Sequence, residues 1–148
     1  MAIAERTAQT IWHGTLAGGT GTIRPASGAL GDLPVTWASR TTEPGGKTSP
    51  EELAAAAHSS CFAMALALCL GEHDTTAERL TVTATVTLDE VDGTPTIVSS
   101  DLRVRGLVPG LDARGFQDAV VEAAALCTVS RLFAGAKISV TAALDPAE

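Results

Sequence analysis

Basic residues are scarce in this sequence of 148 amino acids, and their scarcity excludes one class of partner. Ten Lys and Arg residues stand against 17 Asp and Glu residues, which gives a formal net charge of -7. No basic cluster along the chain offsets this charge. Because proteins that bind nucleic acid neutralise phosphates with Lys and Arg, we expect no nucleic-acid partner.

Cysteine is scarce as well, with three residues in the chain. Cys61, Cys69 and Cys127 lie far apart and form no Cys-x-x-Cys pair. An odd number of cysteines does not describe a disulfide framework. The first residues, MAIAERTAQTIW, contain no apolar run of signal-peptide length. We therefore expect a cytoplasmic protein with reduced thiols, which are either small buried hydrophobic groups or redox-active groups.

The chain also lacks internal repeats and any linker long enough to separate domains, so residues 1–148 are predicted to form a single domain. A hydrophobic content of 45% excludes a disordered chain. Strands are predicted from alternating or β-branched residues at five places: a hairpin over 6–24, then Leu33–Ser39, Leu80–Val91, Thr96–Val108 and Lys137–Leu144. Runs of strands and helices without strict βαβ alternation indicate an α+β fold with antiparallel sheets.

The longest apolar stretch runs from Thr48 to Gly71 and is predicted to be a helix. Ser49 can cap its first turn, Pro50 suits the first helical position, and Glu52 can close a capping box. Gly71 suits the position after the helix. A second helix is predicted after Asp112, with its apolar residues on one face: Phe116, Ala119, Val120 and Ala123. A short helical turn is predicted over 129–133.

A helix that is apolar on nearly every side must be buried. This one is about twenty residues long, rich in alanine rather than leucine, and contains a histidine and two serines, so we expect burial in protein rather than in a membrane. Six modest strands and one other long helix are too few to cover it. We therefore expect a homodimer in which the second subunit covers the helix.

Several segments resemble the OsmC/Ohr family of thiol-dependent hydroperoxide reductases, above all SPEELAAAAHSSCFAMALAL and the distant CTVS. The segments LGEHD, LDEVDGTPTI and VPGLDARGF, with Arg40 after the third predicted strand, are similar to the OsmC branch. The resemblance extends from the strand at Trp12 to the last strand. It implies an OsmC-like fold, with antiparallel sheets around a long buried central helix in an intertwined homodimer. One departure is visible: Thr128 stands where members commonly carry the proline of Cys-Pro-Val-Ser, which bears on how rigidly Cys127 is presented.

The resemblance implies a peroxidase with no bound cofactor or metal that reduces organic hydroperoxides and leaves hydrogen peroxide open as a second substrate. Cys61 is the implied peroxidatic thiolate, and Cys127 is the implied resolving thiol that condenses with the Cys61 sulfenic acid. A dithiol reductant, a lipoyl group by analogy with the Ohr branch, then restores both thiols. Apolar residues are candidates for the walls of the site: Phe62, Met64, Leu66 and Phe133.

A reactive thiolate needs a cation nearby, because apolar surroundings raise the pKa of a cysteine. Arg40 is the candidate, since its charge is permanent and its guanidinium can also hold a leaving alkoxide. A buried arginine needs a counter-ion, and Glu51 is the better choice because the capping box already uses Glu52. Glu51 precedes Cys61 by about 15 Å of helix. We therefore expect Glu51 to reach the site from the partner subunit.

Two other interpretations stay open at this point. A non-catalytic binding or stress-associated dimer of the same fold would use its cysteines as structural groups, which is the role we expect for Cys69. A thiol sensor or hydrolase would pair Cys61 with His58, and this requires the imidazole within hydrogen-bond reach of the sulfur. His58 and Cys61 could also act as two metal ligands, but two ligands without a third are weak support for a metal site. We therefore expect His58 to be a buried polar group with its hydrogen bonds satisfied.

Overall fold

The computed structural model describes residues 1–147 and has the α+β composition that the sequence predicts. Its strands are β1 (Ala8–His13), β2 (Thr20–Pro25), β3 (Leu33–Val35), β4 (Arg79–Val91), β5 (Thr94–Leu107) and β6 (Lys137–Leu144). Its helices are α1 (Trp37–Thr41), α2 (Pro50–Glu72), α3 (Ala113–Leu126) and α4 (Thr128–Leu132). The chain forms two compact units that divide between Leu53 and Ala54, within the first turns of α2.

The first unit contains a three-stranded antiparallel sheet in the order β1-β2-β3. The predicted hairpin is present, with His13 paired to Thr20 across its turn. Trp12 lies opposite Gly21 in this pairing. A Cβ atom built on Gly21 would lie only 2.7 Å from the Trp12 ring, so the glycine is what allows the indole to lie over the neighbouring strand.

The third predicted strand is wrong over its second half. It ends at Val35, and Thr36 caps the short helix α1. The Thr36 hydroxyl accepts a hydrogen bond from the Ser39 N–H at 3.0 Å, and the Ser39 hydroxyl accepts one from the Thr36 N–H at 2.9 Å. This reciprocal pair is a capping box. Arg40 therefore lies on a helix rather than after a strand.

Helix α2 begins where the sequence predicts and ends later. The Ser49 hydroxyl accepts a hydrogen bond from the Glu52 N–H at 3.1 Å, as expected of an N-cap. The Glu52 carboxylate accepts a hydrogen bond from the Thr48 hydroxyl at 2.7 Å, rather than closing the predicted capping box with Ser49. The helix passes through Gly71, so the prediction that Gly71 follows its last turn is wrong. Asp74 adopts the left-handed conformation instead, with φ 54°.

One face of α2 is buried within the second unit of a single chain. Its buried members are His58, Phe62, Leu66, Cys69 and Leu70. Only 33% of its most apolar 18-residue window is buried, and within the described residues it is the one helix long and apolar enough to cross a membrane. Core helices of soluble proteins meet the same criterion, so this is weak support for a membrane span. Burial on nearly every side, as the sequence predicts, is not achieved by one chain.

The second unit contains a three-stranded sheet in the order β4-β5-β6. Strands β4 and β5 form an antiparallel hairpin, and its turn residues Asp92 and Gly93 both have positive φ, as a two-residue hairpin turn requires. Strand β6 pairs with β5 in parallel, which corrects the expectation that both sheets are antiparallel throughout. The connection between them carries α3 and α4, and a long helical connection allows a parallel return.

Helix α3 packs against this sheet and completes the core of the second unit. Its cap is the one predicted, because the Asp112 side chain accepts a hydrogen bond from the Gly115 N–H at 2.7 Å. The apolar face predicted for this helix is buried as a set: Phe116, Ala119, Val120 and Ala123. A Cβ atom on Gly106 of β5 would lie 2.7 Å from the Phe116 ring. Glycine is therefore what lets this ring pack directly on the strand.

Candidate active site

Cys61 is a half-buried residue of α2, and its side chain meets the start of α4. Its Sγ atom lies 3.2 Å from Oγ1 of Thr128, within hydrogen-bonding distance for sulfur. Thr128 is the first residue of α4, and Cys127 is the residue that caps this helix. The contact thus joins residues that are distant in the sequence.

The surroundings of Cys61 favour its ionised form. Burial raises the pKa of the thiol, but hydrogen bonds around the sulfur outweigh that effect and hold the pKa below its ordinary value. The Thr128 hydroxyl makes the largest of these contributions, followed by the Val129 N–H, the Cys127 thiol and the Thr128 N–H. Because the thiolate is the nucleophilic form of cysteine, Cys61 is suited to react.

The Cys127 thiol is fully buried, and a hydrogen bond with it is among the influences that lower the pKa of Cys61. All three cysteines are free thiols, so Cys61 and the nearby Cys127 are both in the reduced state. The Cys127 backbone is held on both sides, because its N–H donates to the Ala123 carbonyl at 2.9 Å and its carbonyl accepts from the Arg131 N–H at 3.1 Å. The structure therefore brings together the two cysteines that the sequence selects.

Arg40 and Glu51 meet in the first unit. Nε of Arg40 lies 3.0 Å and 3.2 Å from the two carboxylate oxygens of Glu51, and Nη2 lies 2.8 Å from one of them. The Glu51 residue is 8% exposed, whereas the Arg40 side chain is 32% exposed. Such a two-pronged pair fixes the plane of the guanidinium. It is more than a loose surface ion pair.

An apolar pocket of about 250 Å³ adjoins Arg40 within the first unit. Its walls include both tryptophans of the chain, and the Arg40 guanidinium lies 5.9 Å from the centre of the Trp37 ring. Sequence analysis did not identify Trp12 or Trp37 as site residues. The available signal was that Trp37 stands three residues before Arg40, a spacing that places two side chains on one face of a helix.

The walls proposed from sequence are not the walls of this pocket. Phe62 and Leu66 are fully buried in the core of the second unit, so they do not line an open cavity there. Met64 is 73% exposed on α2. Phe133 packs edge-on against the His58 ring, with the ring centres 5.3 Å apart.

His58 is fully buried, and both of its ring nitrogens are engaged. Nδ1 lies 2.6 Å from the Ser100 hydroxyl on β5, and Nε2 lies 2.7 Å from the Ser130 hydroxyl on α4. Burial lowers the pKa of the imidazole, which favours the neutral ring. The expectation of a satisfied buried histidine is confirmed. A hydrolase-like pairing of His58 with Cys61 is wrong, because neither ring nitrogen is left to activate the sulfur.

Cys69 has the environment of a core residue. It is fully buried, and burial raises the pKa of its thiol, with further contributions from the charges of Glu122 and Glu72. Each of these influences suppresses the thiolate. Cys69 is therefore less reactive than Cys61.

The fold and the site together are those of an α+β protein with a pair of free thiols. The chain has an α+β fold with two small sheets and a long helix, and its second unit holds two neighbouring reduced thiols beside hydroxyl and backbone donors. The sequence profile of the family described as OsmC-like protein matches residues 43–142. The chain belongs to the OsmC family, and the resemblance found in its sequence is confirmed.

Individual relatives agree with this assignment. The chain is 40% identical over 124 residues to the Escherichia coli K12 protein named Peroxiredoxin OsmC, covering 84% of this chain and 86% of that protein. OhrB of Bacillus subtilis, an organic hydroperoxide resistance protein, has a TM-score of 0.70 at 27% identity, covering 94% of this chain and 98% of that one. A Legionella pneumophila OsmC structure has a TM-score of 0.74, covering 99% of this chain and 100% of that one. Its identity is 21%, so this similarity concerns the fold alone.

Proposed function

We propose that this protein is a thiol peroxidase that reduces organic hydroperoxides through Cys61 and Cys127. The observation that carries the proposal is a Cys61 thiol of lowered pKa that lies beside Thr128 and, next to it in the chain, the free thiol of Cys127. Its relatives support the same chemistry, since one is named a peroxiredoxin and another an organic hydroperoxide resistance protein. Paired thiols suffice for this reaction, so the proposal includes no bound cofactor or metal.

The proposed cycle has three steps. The Cys61 thiolate attacks the distal oxygen of the hydroperoxide, the O–O bond breaks, and the departing alkoxide takes a proton to become an alcohol. Cys61 is then a sulfenic acid. The Cys127 sulfur attacks the Cys61 sulfur, and the hydroxyl group leaves as water with the Cys127 proton, which forms a disulfide. A dithiol reductant supplies two electrons and two protons to restore both thiols, and a lipoyl dithiol is the class we propose.

The proposed cycle is tested by counting thiols after a single oxidation. Reduced protein is treated with one equivalent of cumene hydroperoxide, and free thiols and disulfides are then mapped by mass spectrometry. We expect the loss of two thiols, one Cys61–Cys127 disulfide per chain, and an intact Cys69. A non-catalytic dimer with structural cysteines would instead keep all three thiols. That result would remove the peroxidase proposal.

We propose that the Arg40–Glu51 pair supplies the cation for this chemistry. Glu51 engages Nε and Nη2 of Arg40, so Nη1 lies outside the pair and can face a developing alkoxide. Helix α2 is continuous from Pro50 to Glu72, and about 15 Å of helix separates Glu51 from Cys61. We therefore propose a homodimer in which the pair of one subunit acts with Cys61 of the other. The uncovered apolar face of α2 supports the same assembly.

Replacing Glu51 with alanine is expected to lower kcat/KM for an organic hydroperoxide by at least about tenfold, because Arg40 then loses its orientation and its buried counter-charge. Glu52→Ala is the matched control, since Glu52 is exposed and its carboxylate meets only the Thr48 hydroxyl in the first unit. Peroxide consumption with a dithiol reductant measures both variants. Equal losses for Glu51→Ala and Glu52→Ala would show that Glu51 has no special role.

The pocket beside Arg40 supports a preference for organic substrates. Its walls are largely apolar and include Trp12, Ile23, Val35 and Trp37. An alkyl or aryl group gains free energy by leaving water for such a pocket, whereas hydrogen peroxide has no apolar part to bury. We also propose a cytoplasmic location, because a cycle that runs on free thiols and a dithiol reductant depends on a reducing compartment.

A further inference from the structure

We propose that Thr128 is a catalytic residue of this site, whose hydroxyl donates a hydrogen bond to the ionised Cys61 sulfur before that sulfur attacks the peroxide. The proposal rests on the proposed function for its role in turnover. It assigns a purpose to the position where this chain departs from the Cys-Pro-Val-Ser sequence of its family. The contact between Thr128 and Cys61 is present in the folded chain whether or not the protein is a peroxidase.

The geometry gives the hydroxyl a defined direction of donation. Oγ1 of Thr128 lies 3.2 Å from Sγ of Cys61, and either atom can donate while the thiol is neutral. Once Cys61 is ionised its sulfur carries no hydrogen, so only the hydroxyl can donate. Hydrogen bonds to a charged acceptor are about twice as strong as neutral ones. The contact therefore favours the thiolate over the thiol.

Neutral donors surround the Cys61 sulfur in the second unit. They come from Cys127 and the first two residues of α4, and among the described residues no charged side chain contributes to the lowered pKa. The two thiols and the Thr128 hydroxyl are the side chains that make this set. Because burial opposes ionisation, the hydroxyl is the largest single influence that counters it. The thiolate thus depends on Thr128 within its own chain.

The backbone shows that the fold itself does not demand threonine here. Cys127 has φ -62° and ψ 113°, the extended conformation that a residue before proline adopts. Thr128 is the first residue of α4, where proline is favoured. A proline would therefore fit this backbone, but it would remove both the hydroxyl and the N–H that face Cys61. Thr128 supplies two donors at a position where the conformation alone requires none.

The test measures the reactivity of Cys61 rather than peroxide turnover. Reduced wild-type protein and the Thr128→Val, Thr128→Ser and Thr128→Pro variants are alkylated with iodoacetamide from pH 5 to pH 10, and mass spectrometry follows Cys61. Valine keeps the shape and the N–H but loses the hydroxyl. We expect its profile to move to higher pH, with the rate at acidic pH lowered about tenfold and the plateau at high pH retained.

The other two variants separate chemistry from structure. Thr128→Ser keeps the hydroxyl, so its profile should stay with that of the wild type. Thr128→Pro should shift at least as far as Thr128→Val, while its midpoint of thermal unfolding stays equal or rises because proline fits the backbone. Coincident profiles for Thr128→Val and wild type would overturn the proposal. A shifted profile in a protein that does not turn over hydroperoxide would instead keep the contact and remove the peroxidase function.

Discussion

Replacing Cys61 with serine is expected to abolish hydroperoxide reduction. A serine hydroxyl stays protonated at neutral pH, so it cannot replace the thiolate that breaks the O–O bond. The substitution preserves the fold, because serine is close to cysteine in size and can still hydrogen-bond to the Thr128 hydroxyl at this partly exposed position. We expect kcat/KM to fall by at least about a thousandfold, to the rate of peroxide consumption without enzyme.

Substitutions of the other two cysteines show whether the loss of activity in Cys61→Ser is specific to Cys61. Cys69→Ala removes a buried thiol whose pKa is raised, so it should retain turnover. Cys127→Ser should stop multiple turnover but still allow one round of oxidation, which a sulfenic-acid reagent such as dimedone would capture on Cys61. Continued turnover by Cys61→Ser would assign the chemistry to a different nucleophile. Loss of turnover in Cys69→Ala, with an intact fold, would contradict the division of roles among the three cysteines.

Replacing His58 with alanine is expected to cause the largest loss of stability. The imidazole is fully buried and bridges the hydroxyls of Ser100 and Ser130. The substitution leaves a cavity and two buried hydroxyls without their partner, so we expect the free energy of unfolding to fall by ~3–5 kcal/mol. His73→Ala is the matched control, because His73 is an exposed partner of Glu122 and should cost no more than ~1 kcal/mol. Chemical denaturation measures both.

The same histidine makes stability depend on pH in a defined direction. Burial lowers the pKa of His58 below its ordinary value of 6.5, so the unfolded chain takes up a proton more readily than the folded one. The stability from this group is complete above about pH 6.5 and is lost as pH falls through the lower pKa of the folded state. His58→Ala should lack this part of the acid dependence. An identical pH dependence in wild type and variant would show that His58 is not held neutral.

Local signals in the sequence predict much of the fold. The alternation over β4, the Asp112 cap of α3 and the alternation over β6 each identify an element that the structure contains. Alternation of apolar and polar residues does not show whether a strand pairs in parallel or antiparallel, however, so the parallel pairing of β6 with β5 was missed. The segment LPVTWAS also alternates, which concealed the capping box of Thr36 and Ser39. A threonine and a serine three positions apart were the overlooked signal.

The candidate site was predictable where the family motif or the need for a counter-charge selects a residue. Cys61 and Cys127 follow from the family motif, and Glu51 follows from the need of Arg40 for a counter-charge. In the sequence Thr128 was noted only as the replacement of a proline. Its partner, the Cys61 sulfur, lies on another helix, so no local pattern predicts the contact. The available signal was that Thr128 has a hydroxyl group and a backbone N–H, whereas the proline expected at this position has neither. The walls of the pocket could not be predicted, since apolar residues on α2 serve equally well as core.

The Cys127 thiol lies near Cys61 in the reduced protein, and in the proposed cycle this affects how well Cys61 resists over-oxidation at high peroxide concentrations. A sulfenic acid is lost irreversibly when a second peroxide carries it to the sulfinic acid. That second oxidation depends on peroxide concentration, whereas attack by a neighbour already in place does not. In the proposed cycle the Cys127 thiol already lies near Cys61, so we expect disulfide formation to compete with over-oxidation even when peroxide is abundant. We therefore expect the proposed peroxidase to keep its activity at high peroxide concentrations.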